Sequence, residues 1–226
     1  MRMRRKKHLD ERLDLCSELM LSLRVDTVRF DSDEAPRYLD FPTLFGNDNP
    51  VELEIGCGKG GFICELAARH PDVNFLAVEL YANVLVSACE AAQARGLTNI
   101  RFLYGNAEYL DRFIPPHSIR RLYLNFSTPF PKKRQATHRL THSHFLTMYK
   151  KLLAPAATLI QKTDGRVFFQ YSLEQMSQCG YTLRHISLDL HADGIEDNIV
   201  TEYERRFMEQ GLPIYRVEAT INNEKE

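Results

Sequence analysis

Residues 54–61 read Glu-Ile-Gly-Cys-Gly-Lys-Gly-Gly, between a short apolar run (Val51–Ile55) and a helical one (Phe62–Arg69). Four glycines in six positions permit a tight turn and a close backbone approach to a ligand. The helix that follows offers unpaired N–H groups at its first turn. A strand, a glycine loop and a helix in that order begin an α/β fold, and the rest of the chain continues the alternation. Asn74–Val78 is strand-like and Ala82–Ala94 helical; Ile100–Leu103 and Leu122–Phe126 are strand-like, with a short helical piece at Ala107–Phe113. Helix Ser143–Leu153 precedes strand Ala157–Gln161, helix Val167–Gln178 precedes strand Thr182–Leu190, and helix Val200–Gln210 precedes strand Ile214–Ile221. About seven strands with intervening helices predict a doubly wound, mostly parallel, Rossmann-like sheet with helices on both faces. The Gly211-Leu212-Pro213 turn leaves the direction of the last strand open.

A length of 226 residues accommodates one such domain, expected over 31–226, preceded by a basic N-terminal arm and helix over 1–30. Apolar side chains at Leu9, Leu13, Cys16, Met20 and Leu23 give that helix its spacing over 9–23, and the Asp-, Pro-, Gly- and Asn-rich residues 31–50 read as loop.

The loop alone fits two templates. As G-x-G-x-x-G (Gly56, Gly58, Gly61) it is a dinucleotide fingerprint; as E-x-G-x-G-x-G (Glu54, Gly56, Gly58, Gly60) it resembles motif I of class I S-adenosylmethionine methyltransferases. Glu79, closing the second strand 21 residues after Gly58, is placed to accept hydrogen bonds from ribose hydroxyls, which both cofactor classes require. Glu54 favours the second template: a carboxylate there suits an ammonium group and repels a pyrophosphate. Asn106, after the third strand, is a candidate adenine contact or a plain turn residue.

Charge is sorted along the chain. The formal net charge is −1, yet residues 112–162 contain no Asp or Glu and ten Lys or Arg, leaving 19 basic against 30 acidic residues elsewhere. Within that stretch, Asn125–Arg134 follows a strand, where open α/β sheets bind ligands. Pro129 and Pro131 are expected to hold it extended while it presents Lys132, Lys133 and Arg134, with Arg139 close behind. That many cations suit a substrate with several phosphates. The arm, with Arg2, Arg4 and Arg5, is expected to grip the same polymer. His138, His142 and His144 have no carboxylate or thiolate near them in sequence, so no metal is expected. Five cysteines without a C-x-x-C pair, no signal-like apolar run and no 18-residue apolar stretch point to a cytoplasmic protein with reduced thiols and no membrane span.

The combination resembles the bacterial tRNA (guanine-N7)-methyltransferases. The stretches that carry the likeness are Met1-Arg-Met-Arg4, Phe45-Gly-Asn-Asp-Asn-Pro50, Glu54–Gly60, Ala77-Val-Glu-Leu80, Leu124-Asn-Phe-Ser127 and Pro131-Lys-Lys-Arg134. Lys162-Thr-Asp164, Ser187-Leu-Asp-Leu-His191, Thr201-Glu-Tyr-Glu204 with Phe207, and Gly211-Leu-Pro-Ile-Tyr215 follow in order. The resemblance implies a class I methyltransferase fold, S-adenosylmethionine as cofactor, tRNA as partner and methyl transfer to N7 of a guanine in the tRNA variable loop, by a monomer or homodimer. It implies that Glu54, Gly56, Gly58, Gly60, Glu79 and Asn106 bind the cofactor. Lys132, Asp164, Thr201, Glu202, Tyr203 and Glu204 would bind the tRNA or its target guanine, and Arg2, Arg4, Arg5, Lys133, Arg134 and Arg139 the tRNA backbone.

The chain departs from the family pattern at a telling place. Where the family usually reads Ser-Asp-Pro-Trp-Pro, this sequence has Ser127-Thr128-Pro129-Phe130-Pro131, so Thr128 stands at the position usually assigned a catalytic carboxylate. Asn106 stands where Asp is common and Gly165 where Asn is common. Guanine N7 carries a lone pair and no proton, so attack on a sulfonium methyl needs no general base, and positioning supplies much of the rate. An active enzyme lacking one charge-stabilising group is expected. The alternatives are a tRNA-binding homologue without turnover, a methyltransferase for another RNA, and a nicotinamide-dependent oxidoreductase.

Overall fold

In the computed structural model of the chain, residues 5–21, 35–195 and 198–221 are described. They form two compact units, Met1–Pro115 and Pro116–Glu226. The strands follow the order β3-β2-β1-β4-β5-β7-β6 in a seven-stranded sheet.

In the first unit, β1 (Val51–Ile55), β2 (Asn74–Glu79) and β3 (Ile100–Tyr104) are parallel neighbours. Every residue of β1 and β2 is buried, which requires cover on both faces, as parallel strands with crossover helices have. The crossovers are α3 (Gly61–Arg69) and α4 (Ala82–Ala94). The register sets Glu54 beside Ala77 and Glu79 beside Tyr104, so the acids and the loops after them lie at the carboxyl ends of the strands.

The segment expected as one helix over 9–23 is α-helical only over Leu9–Leu15 (α1). Beyond a turn at Cys16 the chain straightens along the edge of β3: Phe102 donates to the Leu19 carbonyl at 2.8 Å and Leu21 donates back to Phe102 at 2.9 Å. Edge pairing competes successfully with helical periodicity here because β3 otherwise leaves backbone groups unpaired. α1 is tied to α4 by Arg12, which grips Glu90 at 2.6 and 2.7 Å, and by Gln93, which donates to the Leu15 carbonyl. A second difference lies in the expected loop 31–50. Asp40 caps a one-turn helix, α2 (Phe41–Phe45), and Gly46 ends it in the left-handed region; the residues that suggested loop are its two caps.

In the second unit, β4 (Ile119–Asn125) and β5 (Leu153–Thr163) are parallel. β7 (Tyr215–Ile221) is antiparallel to both β5 and β6 (Tyr181–Ser187), which decides the direction of the last strand. The carboxyl ends of β4, β5 and β6 therefore share one rim with the start of β7. β5 begins four residues earlier than the apolar run suggests, and β6 stops at Ser187 rather than Leu190. Helices α5 (Ser143–Leu152), α6 (Arg166–Gln178) and α7 (Glu202–Glu209) complete the unit. Among the described residues, no helix is long and apolar enough to cross a membrane.

Candidate functional site

The glycine loop of the first unit is shaped by backbone geometry that only glycine adopts without strain. Gly56, Gly58 and Gly60 have φ of 82°, 59° and 80°. Their surroundings differ. A Cβ on Gly60 would meet the Cβ of Ala88 at 2.8 Å, so this glycine lets α4 pack against the loop. A Cβ on Gly56 or Gly58 would meet nothing within 4 Å, which leaves open space beside the turn for a ligand. The loop is fixed to β2 by the N–H groups of Gly56 and Cys57, which donate to the Val78 carbonyl at 2.8 and 3.1 Å.

Glu79 binds across this turn. Its carboxylate accepts from the N–H of Gly58 and of Tyr81, both at 3.0 Å. Burial pushes its pKa above the ordinary value, and those backbone donors oppose the shift. A carboxylate has about four lone-pair sites, more than these backbone donors fill, so capacity remains for a hydroxyl donor. Glu54 is also buried, at 2 % exposure. Burial, and after it the charges of Glu54 and Glu79, drive the Cys57 thiol well above its usual pKa, so Cys57 is inert at neutral pH. Leu80 and Tyr81 are exposed directly after Glu79, an apolar surface that reading the acids alone missed. Asn106 caps the 3-10 helix Ala107–Arg112, accepting from the N–H of Glu108 at 3.1 Å. The turn role is thus present, and the residue still sits just beyond the carboxyl end of β3.

In the second unit the loop after β4 is not the simple extended segment its prolines predict. Phe126 and Phe130 sit at φ of 50° and 41°, a conformation that costs a non-glycine residue about 1–3 kcal/mol. The surroundings hold them there. Phe126 donates to the Lys162 carbonyl at 2.8 Å and stacks on Tyr203 with ring centres 5.9 Å apart. Arg139 donates to the carbonyls of Pro129 and Phe130, each at 3.0 Å, and lies 4.2 Å over the ring of Tyr171. Arg139, expected on a tRNA backbone, also clamps the loop. Thr128 and Lys132 are exposed on it, and Lys133 and Arg134 are exposed on the 3-10 helix Lys133–His138 that follows. The buried hydroxyl of Ser127 has no hydrogen-bond partner among the described residues.

The hub of this unit is Lys162, which composition alone places among the surface cations. It is 3 % exposed, and its ammonium donates to Asn198 Oδ1 at 3.0 Å, the Ile199 carbonyl at 2.9 Å and Glu204 Oε2 at 2.9 Å. Glu204, 0 % exposed, also accepts from Asn198 and completes a capping box with Thr201 at the start of α7. Thr201 and Glu204 thereby fix the start of the helix from which Tyr203 projects 56 % exposed, a role that can coexist with ligand contact. Glu202 is placed in α7, and its side chain lies outside the described residues. Asp164 is exposed after β5 and does not cap α6. Arg2 and Arg4 lie outside the described residues, while Arg5 pairs with Asp10.

Comparison with known proteins identifies the family. A family model described as "Putative methyltransferase" matches residues 48–217. A tRNA (guanine-N(7)-)-methyltransferase of Geobacillus kaustophilus is 49 % identical over 78 % of this chain and 81 % of its own length. The chain belongs to the tRNA (guanine-N7)-methyltransferase family. Among solved structures, the 16S rRNA methyltransferase KamB matches with a TM-score of 0.60 at 17 % identity, covering 88 % of this chain and 99 % of its own. A SAM-dependent methyltransferase from Aquifex aeolicus matches with a TM-score of 0.54 at 14 % identity, covering 96 % and 100 %. At such identities these likenesses show the fold alone, a Rossmann-like methyltransferase sheet.

Proposed function

We propose that this protein transfers the methyl group of S-adenosylmethionine to N7 of a guanine in the variable loop of tRNA, in the cytoplasm. The observation that carries the reading is the open space beside Gly56 and Gly58, flanked by the Glu79 carboxylate, in a chain about half identical to a tRNA (guanine-N7)-methyltransferase. S-adenosylmethionine supplies an electrophilic sulfonium methyl. Glu79 would accept from its ribose hydroxyls, Glu54 would hold its ammonium, and Asn106 would contact its adenine.

In the second unit, Asp164 would accept from the N1–H and N2–H₂ edge of the target guanine, and Tyr203 on its fixed helix would bind beside it. Lys132, Lys133 and Arg134 would neutralise phosphates, with Arg5 and the arm adding to them. No residue has to remove a proton, since guanine N7 has none; the protein orients the ring and excludes water. The product ring carries positive charge. Thr128 offers that charge a hydroxyl where a carboxylate would stabilise it more.

The test is transfer of labelled methyl from S-adenosylmethionine to unmodified tRNA. Transfer is predicted. Binding of both ligands without transfer would instead make the chain a tRNA-binding homologue.

A further inference from the structure

We propose that a pocket at the carboxyl ends of β5 and β6 holds a second nucleobase of the RNA substrate, one belonging to a nucleotide near the target guanine. The proposal rests on the tRNA reading above and deepens it. Arg166, Phe169, Gln170, Leu173, Leu188 and Tyr215 line a pocket of about 320 Å³ in the second unit. Its place follows from the register. Tyr215 pairs with Thr163, the residue before Asp164; Arg166 comes two residues after Asp164; and Leu188 directly follows the end of β6. β6 is two strand positions from β5, about 10 Å away, so the pocket continues the rim that carries Asp164.

The chemistry of the lining selects the occupant. Phe169 and Tyr215 stack with ring centres 5.3 Å apart and give the pocket an aromatic floor. Leu188 stands 65 % exposed at its edge. Single exposed apolar residues are common, but Leu188 rims a pocket with an aromatic floor and one cation. No acid lines it, and Arg166 is exposed. Gln170 donates to Glu174, leaving its amide oxygen as an acceptor. A nucleobase has two apolar faces, a hydrogen-bonding edge and a phosphate attached through its sugar. Aromatic floor, leucine walls, amide and guanidinium match those parts in turn. A second copy of this chain is the competing occupant; it would cover Leu188 without needing Arg166.

The experiment measures binding of unmodified tRNA to the full-length protein over a range of salt, for wild type, Leu188→Glu and Arg166→Ala, with S-adenosylmethionine affinity as the check on folding. Losing one stacked base weakens affinity by about ten-fold, the loss expected for Leu188→Glu with cofactor affinity unchanged. Arg166→Ala is expected to weaken binding and to lower the slope of log K against log salt by about 0.7. If Leu188→Glu misfolds, the slope for Arg166→Ala decides alone. Wild-type tRNA affinity in the folded variants overturns the proposal, as does a change in sedimentation with tRNA affinity intact, which would make the face a copy–copy interface. Because the readout is binding, an inactive wild type would undo the methylation reading without touching the pocket, and an unused pocket would leave that reading standing.

Discussion

At the scale of single residues, the account turns on carboxylates, present and absent. Glu79 has a pKa raised by burial, so its charged form is held at a cost. A carboxyl whose folded pKa is raised binds its proton more readily in the native state; the stability it contributes is present at low pH and is lost as pH rises through that pKa. In the proposed role cofactor binding has the opposite sense, because ribose hydroxyls would donate to the ionised form. S-adenosylmethionine affinity measured by calorimetry is therefore expected to fall as pH drops through a midpoint above the ordinary 4.5. In Glu79→Gln it should be weaker at neutral pH and lose that dependence. A wild-type profile flat down to pH 4.5 would contradict the role. The absent group is at Thr128. Thr128→Asp supplies a charge-assisted contact to a cationic ring, worth roughly 2 kcal/mol, and kcat is expected to rise about thirty-fold. An unchanged or lower kcat in single-turnover assays would show that this chain has repacked around Thr128. The acids at 54 and 79 were legible in the sequence because their spacing from the glycines is itself the signal. Lys162 was not: a lysine reads as a surface cation until tertiary contacts bury it.

At the scale of elements, the ends of helices and strands do the positioning. Lys162 holds the loop after β4 through its carbonyl and the start of α7 through its ammonium. Taking away one partner of a buried ion pair leaves the other uncompensated, which costs about 3–5 kcal/mol. Lys162→Met is expected to lower unfolding free energy in urea by that amount, and Lys162→Met with Glu204→Leu to recover most of it. A single variant as stable as wild type would mean the pair is dispensable. Element order was readable from hydrophobic periodicity, and the capping box at Thr201 from its T-x-x-E spacing. Three features were not readable. α1 stops early because the edge of β3 recruits the chain; α2 hides in residues that favour turns; and Phe126 and Phe130 adopt left-handed backbone that nothing in a Pro-rich stretch announces. In the first and third a tertiary contact overrides a local preference; in α2 local caps at Asp40 and Gly46 make a one-turn helix out of residues that read as loop.

At the scale of the molecule, the near-neutral total of −1 conceals a charge distribution that the fold refines. Of the ten cations in residues 112–162, Lys162 is buried and Arg139 donates to loop carbonyls, while Lys132, Lys133 and Arg134 stay exposed beyond β4. Arg120 and Lys151 are exposed as well. Not all of the ten cations face solvent, and those that do are not confined to one loop. These exposed cations belong to the second unit, and the glycine loop and its acids belong to the first. The central claim joins them in one reaction with one product. Unmodified tRNA should be incubated with the purified protein and S-adenosylmethionine, digested, and mapped by mass spectrometry. The account predicts 7-methylguanine at a single guanine of the variable loop. Methylation of another base or another atom, or no methylation of tRNA that the protein binds, would contradict it.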